Sequence, residues 1–448
     1  MHRKRNFRKF RLGIQVVGVA LLLACGSWHL PAAQAQESAK AMTLLEAVDT
    51  ALVANLELQK SRKQIEAAEA KKKAQRTFFY PTFNATYQAI RLDSDAQITS
   101  TGQLIRDEYN LSTSFSQPIF TGFSLLNQYQ IADLGLDVAQ LNRKLSRLEV
   151  IFLAKEAYFQ VLKTQKLREV AANSVEVLKS QVEVARNFYE VGMTPLNDLL
   201  QTQVELANTR QELIVAQNNL DVAESQFNIV LQRQVRAPVM LTDIQLFAPL
   251  AKNLDYYLAE AEKNRLEITV ANLQIQIAEK ELGLARKDFY PTVSLEGNYF
   301  KRSTKWNLEE QEDVLDPDGW SITGVATWDF WQWGRSSFGE REKRSQLSQA
   351  KISRDQALFQ IRLEVERSFL KARESERNIV TIETAIEQAK ENMRITEERY
   401  KEQAATSTDI LIAQNLLFRT QTNFFNALYD FKIAKAFLQK AIGLEVLE

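Results

Sequence analysis

The sequence predicts a mainly α-helical protein with a small β part, in which a long antiparallel coiled-coil α-barrel joins a β-barrel shared between copies. Three observations carry this expectation. A nearly identical pentapeptide, FYPTF at 79–83 and FYPTV at 289–293, recurs after 210 residues. Large apolar side chains repeat every seven residues along segments far longer than an ordinary globular helix. Between these segments stand stretches of about ten residues in which apolar and polar side chains alternate, the weak signature of a membrane β-strand.

The chain opens with Arg3, Lys4, Arg5, Arg8, Lys9 and Arg11, then a short apolar run over 12–28. The following HLPAAQAQ offers a small-x-small cleavage site ending at Ala35, so 1–35 is expected to be a secretory signal peptide. LLAC at 22–25 offers a second site, which would leave an acylated Cys25 as the first mature residue. Six of the 56 basic residues and none of the 56 acids lie in this leader, leaving 50 against 56 and a net charge near −6. Charges of both signs are interspersed and no basic patch survives, which argues against nucleic acid as a partner.

The remaining chain, 36–448, divides into two repeats, about 43–232 and 253–442, around an equatorial linker at 233–252. Shifting by 210 brings Tyr80-Pro81-Thr82 onto Tyr290-Pro291-Thr292, Phe120 onto Phe330 and Phe159 onto Phe369. One inserted residue later, Tyr189, Asp198 and Gln203 fall on Tyr400, Asp409 and Gln414. Helices are expected over 43–78, 123–189, 196–232, 253–288, 335–401 and 407–442, with the prolines after the leader at their edges or between them. A 67-residue helix spans ~100 Å. The helices at 43–78 and 196–232, stacked end to end, would match it.

Leu199, Leu206, Leu213, Leu220 and Phe227 form one seven-residue seam, and Ile410, Leu417, Phe424, Phe431 and Leu438 form its counterpart. Three residues beyond each stands a small or modest side chain, from Thr202 to Val230 and from Ala413 to Ala441. This pattern predicts closely spaced coiled-coil packing.

The hairpins are expected at 82–119 and 292–331. Phe83, Ala85, Tyr87 and Ala89 oppose Thr82, Asn84, Thr86 and Gln88, and Tyr109, Leu111 and Phe115 oppose Asn110, Ser112, Ser114 and Ser116. Val293, Leu295 and Tyr299 alternate with Ser294, Glu296 and Asn298. The alternation of Trp320, Ile322 and Ala326 is expected to run on through Trp328 and Phe330. Five of the six tryptophans cluster here; Trp320, Trp328, Trp331 and Trp333 suit an aromatic girdle at a membrane interface. Four strands cannot close a barrel and lipid tolerates no open edge, so the chain must share one barrel with other copies. Twelve strands from three copies give a usable channel, while eight or sixteen satisfy the same rule.

Both histidines, His2 and His29, and the one cysteine lie in the leader. Thiol nucleophiles, histidine-based triads and His/Cys metal sites are thereby excluded from the remainder. No enzyme and no cofactor are expected.

These residues resemble the TolC-like outer-membrane efflux proteins over the whole mature chain. FYPTF and DFYPTV look like that family's helix-to-strand junction; QPIFTGF (117–123) and WDFWQWGR (328–335) look like its strand-to-helix junction. FYEVGMTPLNDLLQTQVEL (188–206) looks like its tip turn. The first strand-to-helix junction lacks the family's arginine, and the second tip, RYKEQAATSTDILIAQ (399–414), lacks its glycine.

The resemblance implies a homotrimer in outer-membrane lipid, with twelve shared strands and a long periplasmic helical tunnel. It further implies a periplasmic adaptor and an inner-membrane pump as partners, in efflux or type I secretion. By resemblance, the turns Gly192, Met193, Thr194, Pro195 and Ala404, Ala405, Thr406, Ser407 would dock the adaptor. A gate is expected where helices converge near the tips. Glu383, Glu387 and Glu391, at four-residue spacing ahead of Tyr400, are its candidates, because carboxylate rings select cations. Tyr80, Pro81, Tyr290 and Pro291 mark the two helix-to-strand junctions. The rival reading is a periplasmic coiled-coil scaffold that is not embedded in a membrane.

Overall fold

A computed structural model describes residues 41–93, 97–98, 104–105, 107–244, 247–309 and 318–445. The leader, with both of its cleavage alternatives, lies outside the described residues. From Ala41 onward the chain forms one unit in which two very long helices carry everything else. These are α3 (Ser124–Glu190) and α7 (Arg335–Lys401), 67 residues each.

Each long helix turns back into a 35-residue partner, α3 into α4 (Leu196–Val230) and α7 into α8 (Ser407–Ala441). The predicted seams form these contacts. Leu199, Leu206, Leu220 and Phe227 are buried, as are Ile410, Phe431 and Leu438. Their small companions Thr202, Thr209, Ala223, Ala413, Ala427, Ala434 and Ala441 are buried too, letting the helices approach closely.

The other flanks differ from expectation. In place of one helix over 43–78 the chain forms α1 (Leu44–Ala54) and α2 (Leu56–Thr77). In place of one over 253–288 it forms α5 (Leu254–Asn264), α6 (Leu266–Ala285) and a short 3-10 turn, Arg286–Phe289. The breaks fall at Asn55 and Arg265, which lie 210 residues apart, the same offset that separates the two FYPT motifs. Asn55 ends α1 in extended conformation and caps α2, its side chain accepting from the amides of Glu57 and Leu58.

Arg265 works differently. Only 8% exposed, it donates to the carbonyl of Ala441 at 3.0 Å and pairs with Glu364 at 2.9 Å and Glu267 at 2.9 Å. It therefore satisfies an orphan carbonyl at the end of α8 while breaking its own helix. The α1 and α4 ends meet on the midpoint of α3. There Ala47, Val48 and Ala51 join Ile151, Tyr158, Leu162, Phe227 and Leu231 in the main core. In the second half Ala261, Ile361, Val365, Leu438 and Ala441 make the matching cluster. The intervening segment crosses this level, with Leu241 bridged to Met42 and the Phe247 ring 5.2 Å from Phe431.

Four of the strands form the main antiparallel sheet. In chain order the strands are β1 (Thr82–Arg91), the two-residue β2 (Gln97–Ile98) and β3 (Leu104–Ile105), β4 (Asp107–Thr121), β5 (Thr292–Ser303) and β6 (Asp318–Thr327). The order β1-β4-β5-β6 joins the two hairpins through β4 and β5, while β2 and β3 pair separately. The second hairpin is shorter than its alternation suggests: β6 ends at Thr327.

Replacing Arg265 with alanine removes charged hydrogen bonds from a buried site and should lower unfolding stability by about 2–3 kcal/mol. Guanidinium titration followed by helical circular dichroism checks this, with Arg265→Lys recovering only part because it lacks the forked donor geometry.

Candidate functional site

The register of the sheet sorts its side chains into two surfaces. Phe83 pairs with Phe115, Tyr87 with Leu111 and Ala89 with Tyr109. The same face continues through Thr113 opposite Tyr299 and on to Tyr299 opposite Trp320 and Gly297 opposite Ile322. The opposite face carries Asn84 with Ser114, Thr86 with Ser112, Ser114 with Asn298 and Glu296 with Thr323.

Large apolar side chains on the first face are open: Phe83 is 72% exposed, Trp320 75% and Ile322 62%. The 10-residue β1 and β6 have the length of a tilted membrane strand. A glycine at 297 has a packing reason, since a Cβ there would lie 2.1 Å from the Phe115 ring. The ring covers the bare backbone of its neighbour. β4 bulges between Pro118 and Phe120, as a proline without a donor requires in an inner strand.

The junctions bring the two halves together. At the first, successive amides of Phe79 and Tyr80 donate to Arg76 and Thr77, tightening the helix before Pro81. At the second, Tyr290 leaves its 3-10 turn extended (φ −118°, ψ 151°) ahead of Pro291, as a residue preceding proline must. The Tyr290 ring stands edge-on to Phe123 at 5.7 Å and to Phe120 at 6.3 Å. Gly122, at φ +60°, lies beneath this contact; a Cβ there would be 2.5 Å from the Lys287 carbonyl oxygen. Trp328, Trp331 and Trp333 lie beyond β6 in the connector to α7, all exposed, with Trp331 and Trp333 in edge contact at 5.6 Å.

At the far end the two tips have the same backbone. Gly192, at φ +75°, follows α3, and the Met193 amide donates to the Phe188 carbonyl at 2.8 Å. In the other tip Gln403 takes the glycine's place at φ 58°, and the Ala404 amide donates to Arg399 at 2.7 Å. The missing glycine therefore changes the strain and not the geometry. Pro195 occupies the cap position of α4. Thr406 caps α8 through a reciprocal box with Asp409, whose carboxylate accepts from the Thr406 amide and hydroxyl, both at 2.8 Å. These two bonds hold the Asp409 carboxyl below its ordinary range. The tips touch: Gln403 Nε2 donates to Met193 Sδ at 3.3 Å, and the Phe188 and Tyr400 rings are 5.5 Å apart.

The acidic stripe on α7 is exposed, as Glu383, Glu387 and Glu391 all show. Glu387 pairs with Lys390 at 3.0 Å and Glu391 with Arg394 at 2.6 Å, the latter bond lowering the Glu391 pKa. Two of the three charges are thus offset within the helix. No helix among the described residues is long and apolar enough to cross a membrane, and none of their acidic residues cluster as a metal site.

Comparison with known proteins places this geometry. The model of the outer membrane efflux protein family matches residues 47–228 and 257–444. Outer membrane protein TolC of Vibrio cholerae is 21% identical over 372 residues, covering 80% of this chain and 83% of its own. Alkaline protease secretion protein AprF of Pseudomonas aeruginosa is 22% identical over 427 residues, covering 91% and 86%. The crystal structure of the Campylobacter jejuni CmeC outer membrane channel superposes with a TM-score of 0.80 at 17% identity, covering 89% of this chain and 85% of that one.

Exchanging the tip residues should move stability in opposite directions: Gln403→Gly should stabilise by about 1 kcal/mol and Gly192→Ala should destabilise by at least as much. Denaturant midpoints of the two variants measure this. A pH dependence follows from Asp409. Its folded pKa is depressed, so the cap contributes stability above about pH 4 and loses it as pH falls through the folded value. Amide exchange at the start of α8, corrected for intrinsic rate, should accelerate on acidification in the wild type and show no such step in Asp409→Asn.

Proposed function

The chain belongs to the outer membrane efflux protein family, whose model spans both of its halves, and from that premise we propose that it is the outer-membrane exit duct of a tripartite efflux or type I secretion system. It conducts passively, and the energy comes from an inner-membrane pump reached through a periplasmic adaptor.

The observation that carries this reading is the sheet. One face exposes Phe83, Trp320 and Ile322, the other is lined by Asn, Ser, Thr and Glu, and β1 and β6 end the sheet with unpaired edges. Water does not suit the apolar face, and lipid does not suit the unpaired edges. Three protomers closing a twelve-stranded barrel resolve both demands, with lipid outside and a wet lumen inside. Trp328, Trp331 and Trp333 then lie at the periplasmic interface of the membrane and Trp320, at the loop end of β6, lies toward the opposite interface, where rings and N–H groups are both accommodated. The contacting tips at Gly192–Pro195 and 404–407, farthest from the sheet along α3 and α7, are the surface offered to the adaptor. A cation-selective constriction on α7 would rest chiefly on Glu383, since Glu387 and Glu391 already have intrahelical partners.

Membrane fractionation and conductance test the proposal together. The full-length protein should stay in outer membranes after carbonate washing and run as a heat-sensitive trimer. Reconstituted in planar bilayers, it should carry ionic current. Release by carbonate as a single chain would overturn the duct and favour a periplasmic scaffold.

A further inference from the structure

On the polar face of the sheet the register lays the side chains out in rows across the strands. Thr82, Ser116, Glu296 and Thr323 pair in one row, and Asn84, Ser114, Asn298 and Ser321 in the next. Thr86, Ser112, Phe300 and Gly319 make the third, and Gln88, Asn110 and Arg302 the fourth. Glu296 is the only charged side chain in the first three rows. The other charges of this face, Glu108 and Arg302, have opposite signs and lie together at the loop end, where the Arg302 guanidinium sits over the Phe300 ring at 4.9 Å.

Glu296 is exposed and stands near the junction end of β5, where the Ser294 hydroxyl donates to its Oε1 at 3.2 Å. It forms no ion pair among the described residues, and its row neighbours are hydroxyl side chains. In a ring of three protomers, symmetry sets the three Glu296 carboxylates at one height. Twelve strands ~4.8 Å apart and tilted ~40° close to a radius of ~12 Å. An inward glutamate then brings its carboxylate to ~8 Å from the axis, about one Debye length at physiological ionic strength. An ion on the axis therefore feels all three. Arg302 lies ~20 Å further along the same strand, too far to offset them through salt water.

We propose that Glu296 makes the barrel lumen selective for cations, as one member of a ring of three carboxylates. The inference rests on the duct reading and adds to it a selectivity element inside the membrane, separate from α7. The ring acts through its field and holds no ion: cations are enriched on the axis at this level and anions depleted. Cargo bearing an amine or another positive charge passes it more readily than acidic cargo of the same size.

The test uses the full-length protein in planar bilayers, with reversal potentials read in a shallow KCl gradient. Near 0.1 M salt, Glu296→Gln should lower the cation-to-anion permeability ratio about twofold or more, and Glu296→Lys should lower it further. Near 1 M, where the Debye length is ~3 Å, wild type and variants should agree. A merely structural role would not vanish with added salt. Both variants alter an exposed side chain and should still run as heat-sensitive oligomers, which shows that the barrel has formed. Current with an unchanged permeability ratio in both variants overturns the inference and leaves the duct standing, as does a difference that persists at high salt. A wild-type protein that carries no current overturns the duct itself, and the selectivity falls with it.

Discussion

Everything in this molecule answers to one constraint: a backbone amide or carbonyl in hydrocarbon must find a partner within protein. A four-stranded sheet satisfies its inner strands and abandons the outer edges of β1 and β6. No rearrangement within one chain repairs this, because the sheet is too narrow to curl onto itself. The protomer is therefore an incomplete wall segment, and its exposed aromatic face is consistent with that status. Such a surface would be an aggregation hazard in a soluble protein.

The helical part meets a related demand over a greater distance. Each 67-residue helix is flanked by shorter ones placed end to end. The joint between shorter helices is the weak point of such an arrangement, since orphan carbonyls and amides collect there. The main core sits at that level, with Tyr158 donating to the Thr242 carbonyl, so that the linking segment is fastened to α3. Arg265 serves the same end by satisfying the last turn of α8.

Much of this was legible in the sequence, for physical reasons that differ by element. The seven-residue seam is a local pattern, and coiled-coil packing follows from it wherever it is sustained; Leu199 to Phe227 illustrate this. The two sheet faces were legible because a pleat alternates strictly, as Phe83 and Asn84 do. What was missed was decided by tertiary contact. Nothing in the charge pattern around Asn55 or Arg265 ends a helix, and only the partners at Ala441 and Glu364 explain the second break. Gln403 is held left-handed by the bond from Ala404 to Arg399, which overrides its preference. Trp328 and Phe330 continue the alternation of β6 although their backbone has left the sheet, so period alone extended the strand too far.

The pairing of β4 with β5 also sets an order of events. The hairpins close over the connections 92–106 and 304–317, but Thr121 pairs with Thr292 across 170 intervening residues, which include all of α3, α4, α5 and α6. Closing so long a loop in a loose chain carries a high entropic cost, whereas the helical hairpin within it folds through near-neighbour contacts and draws the ends together. The helices therefore act as the template that delivers the two hairpins to one another. The membrane portion of the protomer is assembled last, by a region that never enters the membrane.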